Sequence, residues 1–120
     1  ACVLLGWVQL GLPHAQDATT GLQIINDRAK GNCVACHTLP GQTGDAGGIA
    51  SSFGPTLAGI ANRVNALQLR QWVTDARQIK PDTLMPPFGS TAGLNQPQPA
   101  TPVLTPEQIE HVVAALQTWR

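Results

Sequence analysis

The chain has 120 residues, which is enough for one small domain whose apolar core would be thin if nothing else filled it. Seven basic and seven acidic side chains cancel, which leaves no field of either sign for gripping nucleic acid or a membrane surface. A nucleic-acid partner is therefore not expected.

The first twelve residues are almost wholly apolar, and small residues near a polar boundary follow at 13–18. This pattern resembles the hydrophobic region and cleavage zone of a secretory signal peptide. The apolar run is also too short to span a bilayer as a helix. We predict that residues 1–18 are the remnant of a leader, removed together with Cys2, and that the domain covers 19–120. An ordinary N-terminal hydrophobic helix is the alternative.

The first helix is predicted from the apolar residues Leu22, Ile25 and Ala29, which recur at intervals of three and four. Thr19 or Thr20 is suitable as its N-cap. The helix is expected to run directly into a Cys-x-x-Cys-His motif, which the following residues form.

Cys33, Cys36 and His37 form this motif, which is typical of covalent c-type haem attachment. Cysteines at i and i+3 of a helical turn face the same way, so both sulfurs can add to one edge of the same porphyrin. The imidazole of His37 can then ligate the iron from the proximal side. A redox dithiol would need a strand–helix–strand setting, which the sequence does not show. A structural zinc site needs four ligands, and beyond the motif residues 19–120 supply only His111, so we rank zinc below haem.

A long loop is predicted from Thr38 to Pro55, where Gly, Ser, Pro, Gln and Thr occur with no period. We expect this loop to wrap one edge of the cofactor. The carbonyl of Pro55 could accept the second N–H of the proximal imidazole and so fix its tautomer. Alternatively, Pro55 opens a short helical turn. The sequence leaves these two interpretations open.

A second helix is predicted to begin after Asn65 as N-cap and to end before Pro81. Arg63 and Trp72 are candidates for holding the haem propionates, by charge and by the indole N–H respectively. A solvated arginine and a packed tryptophan are the alternatives. The apolar stripe of this helix consists of Leu69, Trp72, Val73 and Ala76.

Met85 is the chain's one methionine and lies in a proline-rich segment, 80–102, for which no helix is predicted. A lone methionine most often fills a core. Given a haem, however, we predict that Met85 is the distal axial ligand, because a fixed thioether suits that position. His111 is the competing ligand, and its place on the helical wheel predicts a surface position.

A third helix is predicted at the C-terminus, with Thr105 as N-cap, Pro106 at the first helical position and Gln108 reaching back to the cap. No strand pattern of useful length is visible. The sequence therefore predicts a small all-α fold of about three main helices, with long loops around one haem. The apolar stripe of the third helix is Ile109, Val112, Val113 and Leu116, with Trp119 near its end.

Taken together, the motif at 33–37, Gly54-Pro55, a methionine after the middle helix and a C-terminal helix resemble a monohaem class I cytochrome c over residues 19–120. One departure concerns the Gly and the aromatic residue that usually precede the first Cys, where this chain has Ile25 and Ala29. We therefore expect the first and last helices to cross differently, with Trp119 contributing bulk. A narrower resemblance, to the SoxX family of small cytochrome subunits, is carried by 30–32, 54–60 with Arg63, 69–73, 85–89 and 103–108.

This resemblance implies one haem c, joined by thioether bonds to Cys33 and Cys36, with His37 and Met85 as axial ligands of the iron. It also implies a periplasmic location and a larger SoxA-type cytochrome subunit, which carries the catalytic haem. In that family the pair joins thiosulfate oxidatively to a cysteine of a SoxYZ-type carrier protein. The small subunit passes the electrons to a downstream acceptor and is not catalytic alone.

Filling both axial positions leaves the iron no place for substrate, which favours an electron relay. The near-zero net charge predicts docking through an apolar patch around the haem edge, with Phe88 the first candidate. A free-standing soluble electron shuttle is the alternative function. A haem-based gas sensor would need a weak or absent sixth ligand.

Overall fold

The computed structural model describes residues 16–42, 53–97 and 100–120. Three α-helices occur in these ranges: α1 at Ala18–Asn26, α2 at Ala66–Asp75 and α3 at Pro106–Gln117. Short 3-10 turns lie at Cys33–Ala35, Ile60–Asn62 and Ala76–Gln78, and no strand is found in the described residues. The predicted all-α architecture with long loops is confirmed. The predicted loop from Thr38 to Pro55 lies partly outside the described residues, at 43–52.

Two helices begin with the capping boxes that the sequence predicts. The Asn65 side chain accepts the N–H of Gln68 at 2.9 Å, and the Gln68 side chain accepts the N–H of Asn65 at 3.0 Å. Thr105 and Gln108 make the same reciprocal pair at the start of α3, with Pro106 at its first position. Each pair satisfies N–H groups that a helix start leaves without partners.

The N-cap of α1 is Asp17, so the prediction of Thr19 or Thr20 is wrong. The Asp17 carboxylate accepts the N–H of Thr19 at 2.9 Å and the hydroxyl of Thr20 at 2.6 Å. A carboxylate here also carries the charge that a helix N-terminus favours. These hydrogen bonds, that of the Thr20 hydroxyl foremost, hold the pKa of Asp17 below its usual value.

Two residues that precede the predicted boundary at Thr19, Gln16 and Asp17, make hydrogen bonds to α3. Gln16 donates to the Glu110 carboxylate at 2.7 Å, and the N–H of Asp17 is donated to Nδ1 of His111 at 2.9 Å. The first described residues are therefore already bonded to α3. Residues 1–15, Cys2 among them, lie outside the described ranges, and the leader stays a prediction.

His111 does not lie on the surface, as the helical wheel predicted. Its side chain is only 14% exposed, and its Nδ1 accepts the Asp17 N–H. The neighbouring Glu110 accepts from Arg70, with Nη2 to Oε2 at 2.9 Å, and from Gln16. Two consecutive residues of α3 thus bind both other helices. A wheel drawn for α3 alone does not include the chain that packs over that face.

The α1–α3 contact is the centre of the fold, and it depends on Gly21. A Cβ at this position would overlap the carbonyl oxygen of His111 and lie 2.9 Å from Cβ of Ala115. The two helices therefore touch backbone to backbone. In the family that the chain resembles, the glycine of this crossing would be at position 25, where this chain has Ile25. Here the glycine is Gly21, one helical turn earlier. Trp119 packs partly buried against the core, and its carbonyl accepts the N–H of Ala61 at 3.0 Å.

The predicted stripe of α1 is only partly correct, because Leu22 is 43% exposed and Ala29 lies on the surface beyond the end of the helix. The prediction that Phe88 lies in an exposed docking patch is also wrong. It is 8% exposed and belongs to the core, not to an apolar docking patch. The core is formed by Ile24, Ile25, Leu39, Leu57, Ile60, Leu69, Val73, Phe88, Leu104, Ile109, Val112, Val113, Ala115 and Leu116.

The helices that the structure describes include none with the length and hydropathy to cross a membrane. Within the described part of the segment 80–102, the prolines exclude regular helix, as predicted.

We predict that Gly21→Ala lowers the free energy of unfolding by about 1–3 kcal/mol, because the added methyl forces α1 away from α3. Urea denaturation of the purified protein measures this loss. Gln23→Ala, at an exposed position of the same helix, is the control and is expected to change stability little. Equal stability of the Gly21 variant and wild type would contradict the close crossing.

Candidate cofactor-binding site

The Cys-x-x-Cys-His motif lies on a 3-10 turn that is separate from α1. The prediction that α1 runs directly into the motif is therefore wrong. α1 ends at Asn26, and the chain folds back so that the N–H of Gly31 is donated to the Ile24 carbonyl at 3.1 Å. Asn32 then adopts the left-handed conformation, with φ 47°, which stops any helix from continuing. The turn that follows is closed by the N–H of His37, donated to the Cys33 carbonyl at 2.9 Å.

Cys33 and Cys36 are free thiols with no disulfide between them. Cys36 follows the turn as its C-cap, and residues i and i+3 of a 3-10 turn lie one above the other, so we expect the two sulfurs on one side of the turn. Cys33 is half-buried against the core, and this burial raises the pKa of its thiol to about 11 in the haem-free chain. Cys36 is exposed. Both thiols are therefore available to form thioether bonds.

The imidazole of His37 is held by the carbonyl of Pro55, whose oxygen lies 2.7 Å from Nδ1. A carbonyl can only accept, so Nδ1 carries the proton of the neutral ring and Nε2 keeps the lone pair that a metal needs. The alternative for Pro55, the opening of a helical turn, is not observed, because residues 55–57 are non-helical.

The loop that carries Pro55 lies directly against the motif. The N–H of Gly54 is donated to the Cys36 carbonyl at 2.8 Å, and that of Leu57 to the Thr38 carbonyl at 2.9 Å. A Cβ at Gly54 would lie 2.6 Å from Cε1 and 2.7 Å from Nδ1 of His37. Glycine is therefore the residue that lets the backbone approach the ring. Gly54 is therefore a site residue, although the sequence around it gives no sign of this contact.

Arg63 fixes the same loop from the other side. Its guanidinium donates to the carbonyls of Thr56 and Ala58, each at 2.9 Å. These two bonds hold the segment that follows Pro55 and so support the position of its carbonyl. The predicted contact of Arg63 with a haem propionate stays a prediction. Trp72 is half-buried, and its indole N–H has no hydrogen-bond partner among the described residues, so it too stays a candidate.

Met85 packs partly buried against the core that also supports Cys33. Its backbone N–H is donated to the hydroxyl of Thr83 at 3.1 Å, which fixes the turn that presents it. The structure therefore offers two free thiols and an imidazole in one segment, and a thioether that packs on the same core as Cys33. This donor set fits a covalently bound haem with two axial ligands.

A separate groove of about 360 Å³ lies between α1 and the start of α3. None of the predicted site residues lines it, and the described residues contain no cluster of His, Cys, Asp and Glu that could hold a metal. The groove is therefore not the candidate cofactor site. It is lined by Thr20, Gln23, Ile24, Asp27, Lys30, Glu107, Gln108 and His111.

The chain is similar to known proteins in sequence and in structure. Residues 18–119 match the family model described as Cytochrome c. The chain is similar to one chain in the crystal structure of SoxXA from P. pantotrophus, with 32% identity and a TM-score of 0.77. The match covers 91% of this chain and 84% of the other. No curated protein gives a significant match.

We predict that Gly54→Ala displaces the His37 ring and costs about 1–3 kcal/mol of stability, because the methyl occupies the space of Cε1 and Nδ1. The absorption spectrum of the haem-bound protein and its urea midpoint should both change. Gly41→Ala is the control, since nothing lies within 4 Å of its added carbon and only its left-handed backbone is strained. An unchanged haem spectrum in the Gly54 variant would show that the loop does not hold the ring.

Proposed function

The chain belongs to the cytochrome c family, and on that premise we propose that it relays electrons in the periplasm as the SoxX-type subunit of a thiosulfate-oxidising complex. It is a haem protein of electron transfer, as its family is. The similarity to a chain of SoxXA supports the narrower assignment, and the apolar sequence of residues 1–12 supports export.

The observation that carries the proposal is the bond from His37 Nδ1 to the Pro55 carbonyl. This bond leaves Nε2 as the nitrogen donor of the ring, and His37 follows directly after the free thiol of Cys36. Cys33 and Cys36 would hold one haem c through thioether bonds, and His37 and Met85 would supply its axial ligands. When bound, the haem supplies a one-electron iron couple whose potential a thioether ligand raises.

Two firmly held axial donors favour an electron relay over a gas sensor. The backbone of Met85 is bonded to the Thr83 hydroxyl and its side chain packs on the core, which supports a firmly held thioether over a weak sixth ligand. With no open position for thiosulfate, the chain would depend on a second cytochrome for the chemistry. That partner is a SoxA-type subunit, acting on a SoxYZ-type carrier, and a downstream acceptor receives the electrons.

The proposed docking surface for this partner centres on Leu84, the residue before Met85, which is 83% exposed. Phe88 is unsuitable, because it is buried and its carbonyl accepts the N–H of Leu104 at 2.8 Å. An exposed leucine beside the distal ligand offers a partner apolar contact close to the site of electron transfer. The absence of net charge favours such a contact over long-range steering.

Replacement of Met85 by Ala should abolish the weak near-infrared band that a sulfur ligand gives to ferric haem. His111→Asn is the control and should retain the band, because Nδ1 of His111 is already engaged by the Asp17 N–H. A wild-type spectrum of bis-imidazole character would contradict the assignment of Met85 and transfer it to His111.

Leu84→Ser should weaken binding to a SoxA-type subunit at least about tenfold, as expected for an anchor residue of an interface burying about 1,000 Å² or more. Titration calorimetry measures the loss. Leu67→Ser, which removes a leucine that is 60% exposed on α2, is the matched control and should bind normally.

Equal losses in the two leucine variants would place the docking surface elsewhere. Reduction of the isolated chain by thiosulfate and carrier protein, at one rate with and without the partner subunit, would contradict the subunit function. The chain would then be an independent shuttle.

A further inference from the structure

The segment that carries Met85 leaves α2 and returns to the same helical turn. We call residues 79–89 the Met85 loop. At its start, the N–H groups of Ile79 and Lys80 are donated to the Ala76 carbonyl at 3.0 and 2.9 Å. Its end is held by two further bonds, from Phe88 to the Val73 carbonyl at 3.3 Å and from Gly89 to the Thr74 carbonyl at 2.9 Å. Both ends of the loop are therefore anchored within four consecutive residues of the helix end.

These carbonyls are available because the helix is broken at Asp75. Its backbone is extended, with φ −161° and ψ 90°, so the following residues leave the helical path. In a continuous helix the N–H of Arg77 would be donated to the Val73 carbonyl. Here that N–H is donated to Oδ1 of Asp75 at 3.2 Å, and the Val73 carbonyl accepts from Phe88 instead. The Asp75 carboxylate thus replaces one helical bond and frees an anchor point for the loop.

A paired guanidinium holds this carboxylate in position. Arg77 donates Nε to Oδ1 and Nη2 to Oδ2 of Asp75, each at 2.8 Å. Asp75 is 6% exposed and is the one buried charged residue among those the structure describes. The hydrogen bonds from Arg77 hold the pKa of Asp75 below its usual value. Loss of the two guanidinium bonds would leave this buried carboxylate with weaker compensation, from the backbone N–H of Arg77 and the side chain of Gln78.

We propose that the Asp75–Arg77 pair positions the Met85 loop, so that it determines how firmly the Met85 sulfur is kept at the sixth position of the haem iron. The inference rests on the proposed ligation by Met85. Asp75 and Arg77 are then positioning residues outside the site. They act through the carbonyls of Val73 and Thr74, to which the loop is bonded. Weakening the pair would loosen the loop at its ends and let a small external ligand displace the sulfur.

The test uses the haem-bound protein and two conservative variants, Asp75→Asn and Arg77→Gln. Asparagine keeps an oxygen for the Arg77 N–H but loses the charge. The matched controls are Asp82→Asn and Arg28→Gln, which remove the same charges from exposed residues without hydrogen bonds in the described structure. Gly21→Ala controls for a general loss of stability, since it acts at the α1–α3 crossing.

The first measurement is the rate at which imidazole binds the ferric haem, which requires the sixth position to be vacated. We expect both variants of the pair to bind imidazole about tenfold faster than wild type, as for the loss of a hydrogen bond to a charged group. The controls at Asp82 and Arg28 should stay within about twofold of wild type. Gly21→Ala should lower the urea midpoint without a comparable gain in rate.

The second measurement is amide hydrogen exchange at Phe88 and Gly89, which does not depend on the identity of the axial ligand. These two amides should exchange faster in the pair variants, while amides inside α3 keep their protection. Unchanged exchange at both amides, or an imidazole rate that rises equally in Gly21→Ala, would overturn the proposal. If exchange rises but Met85→Ala leaves the sulfur band intact, the anchor stands and the ligand assignment fails.

Discussion

The candidate haem site depends on one hydrogen bond, which joins the His37 imidazole to the Pro55 carbonyl. Because the Nδ1–H of His37 is donated to the Pro55 carbonyl, the lone pair of the neutral ring is on Nε2. Two neighbouring residues support this contact. Gly54 lets the loop come within reach of the ring, and Arg63 holds the carbonyls that follow. His37 belongs to the motif, but its tautomer is determined by Pro55, which lies 18 residues later in the chain.

A rigid helical frame places the donors, which themselves lie on irregular segments. α1 and α3 touch backbone to backbone at Gly21, and the motif turn follows α1 after the chain has folded back onto the end of that helix. α2 ends at Asp75, where its free carbonyls anchor the loop of the thioether. Each donor segment thus begins at a helix end, where unsatisfied backbone groups provide anchor points. A covalent cofactor between such segments would supply apolar interior that 120 residues lack.

Features set by neighbours in sequence were predictable, and those set by distant neighbours were not. The capping boxes at Asn65 and Thr105, the helix types and the SoxX-like class I cytochrome fold were predicted and are confirmed. Asp17 was not predicted as the N-cap of α1, because it falls within the predicted leader at residues 1–18. Burial of His111 and Phe88 depends on segments packed over them from elsewhere in the chain. For Pro55, the sequence allowed two conformations, and only the fold brings its carbonyl to the ring.

Nitrogen-15 NMR of histidine-labelled, ferrous, haem-bound protein at pH 8 tests the central claim most directly. The Pro55 carbonyl can only accept, so the proton of His37 should be on Nδ1, with Nε2 unprotonated. His111 is an internal reference of opposite tautomer, because its Nδ1 accepts the Asp17 N–H and its proton must be on Nε2. Opposite tautomers for His37 and His111 are the predicted result. A His37 ring protonated at Nε2, or one with no proton on Nδ1, would contradict the account.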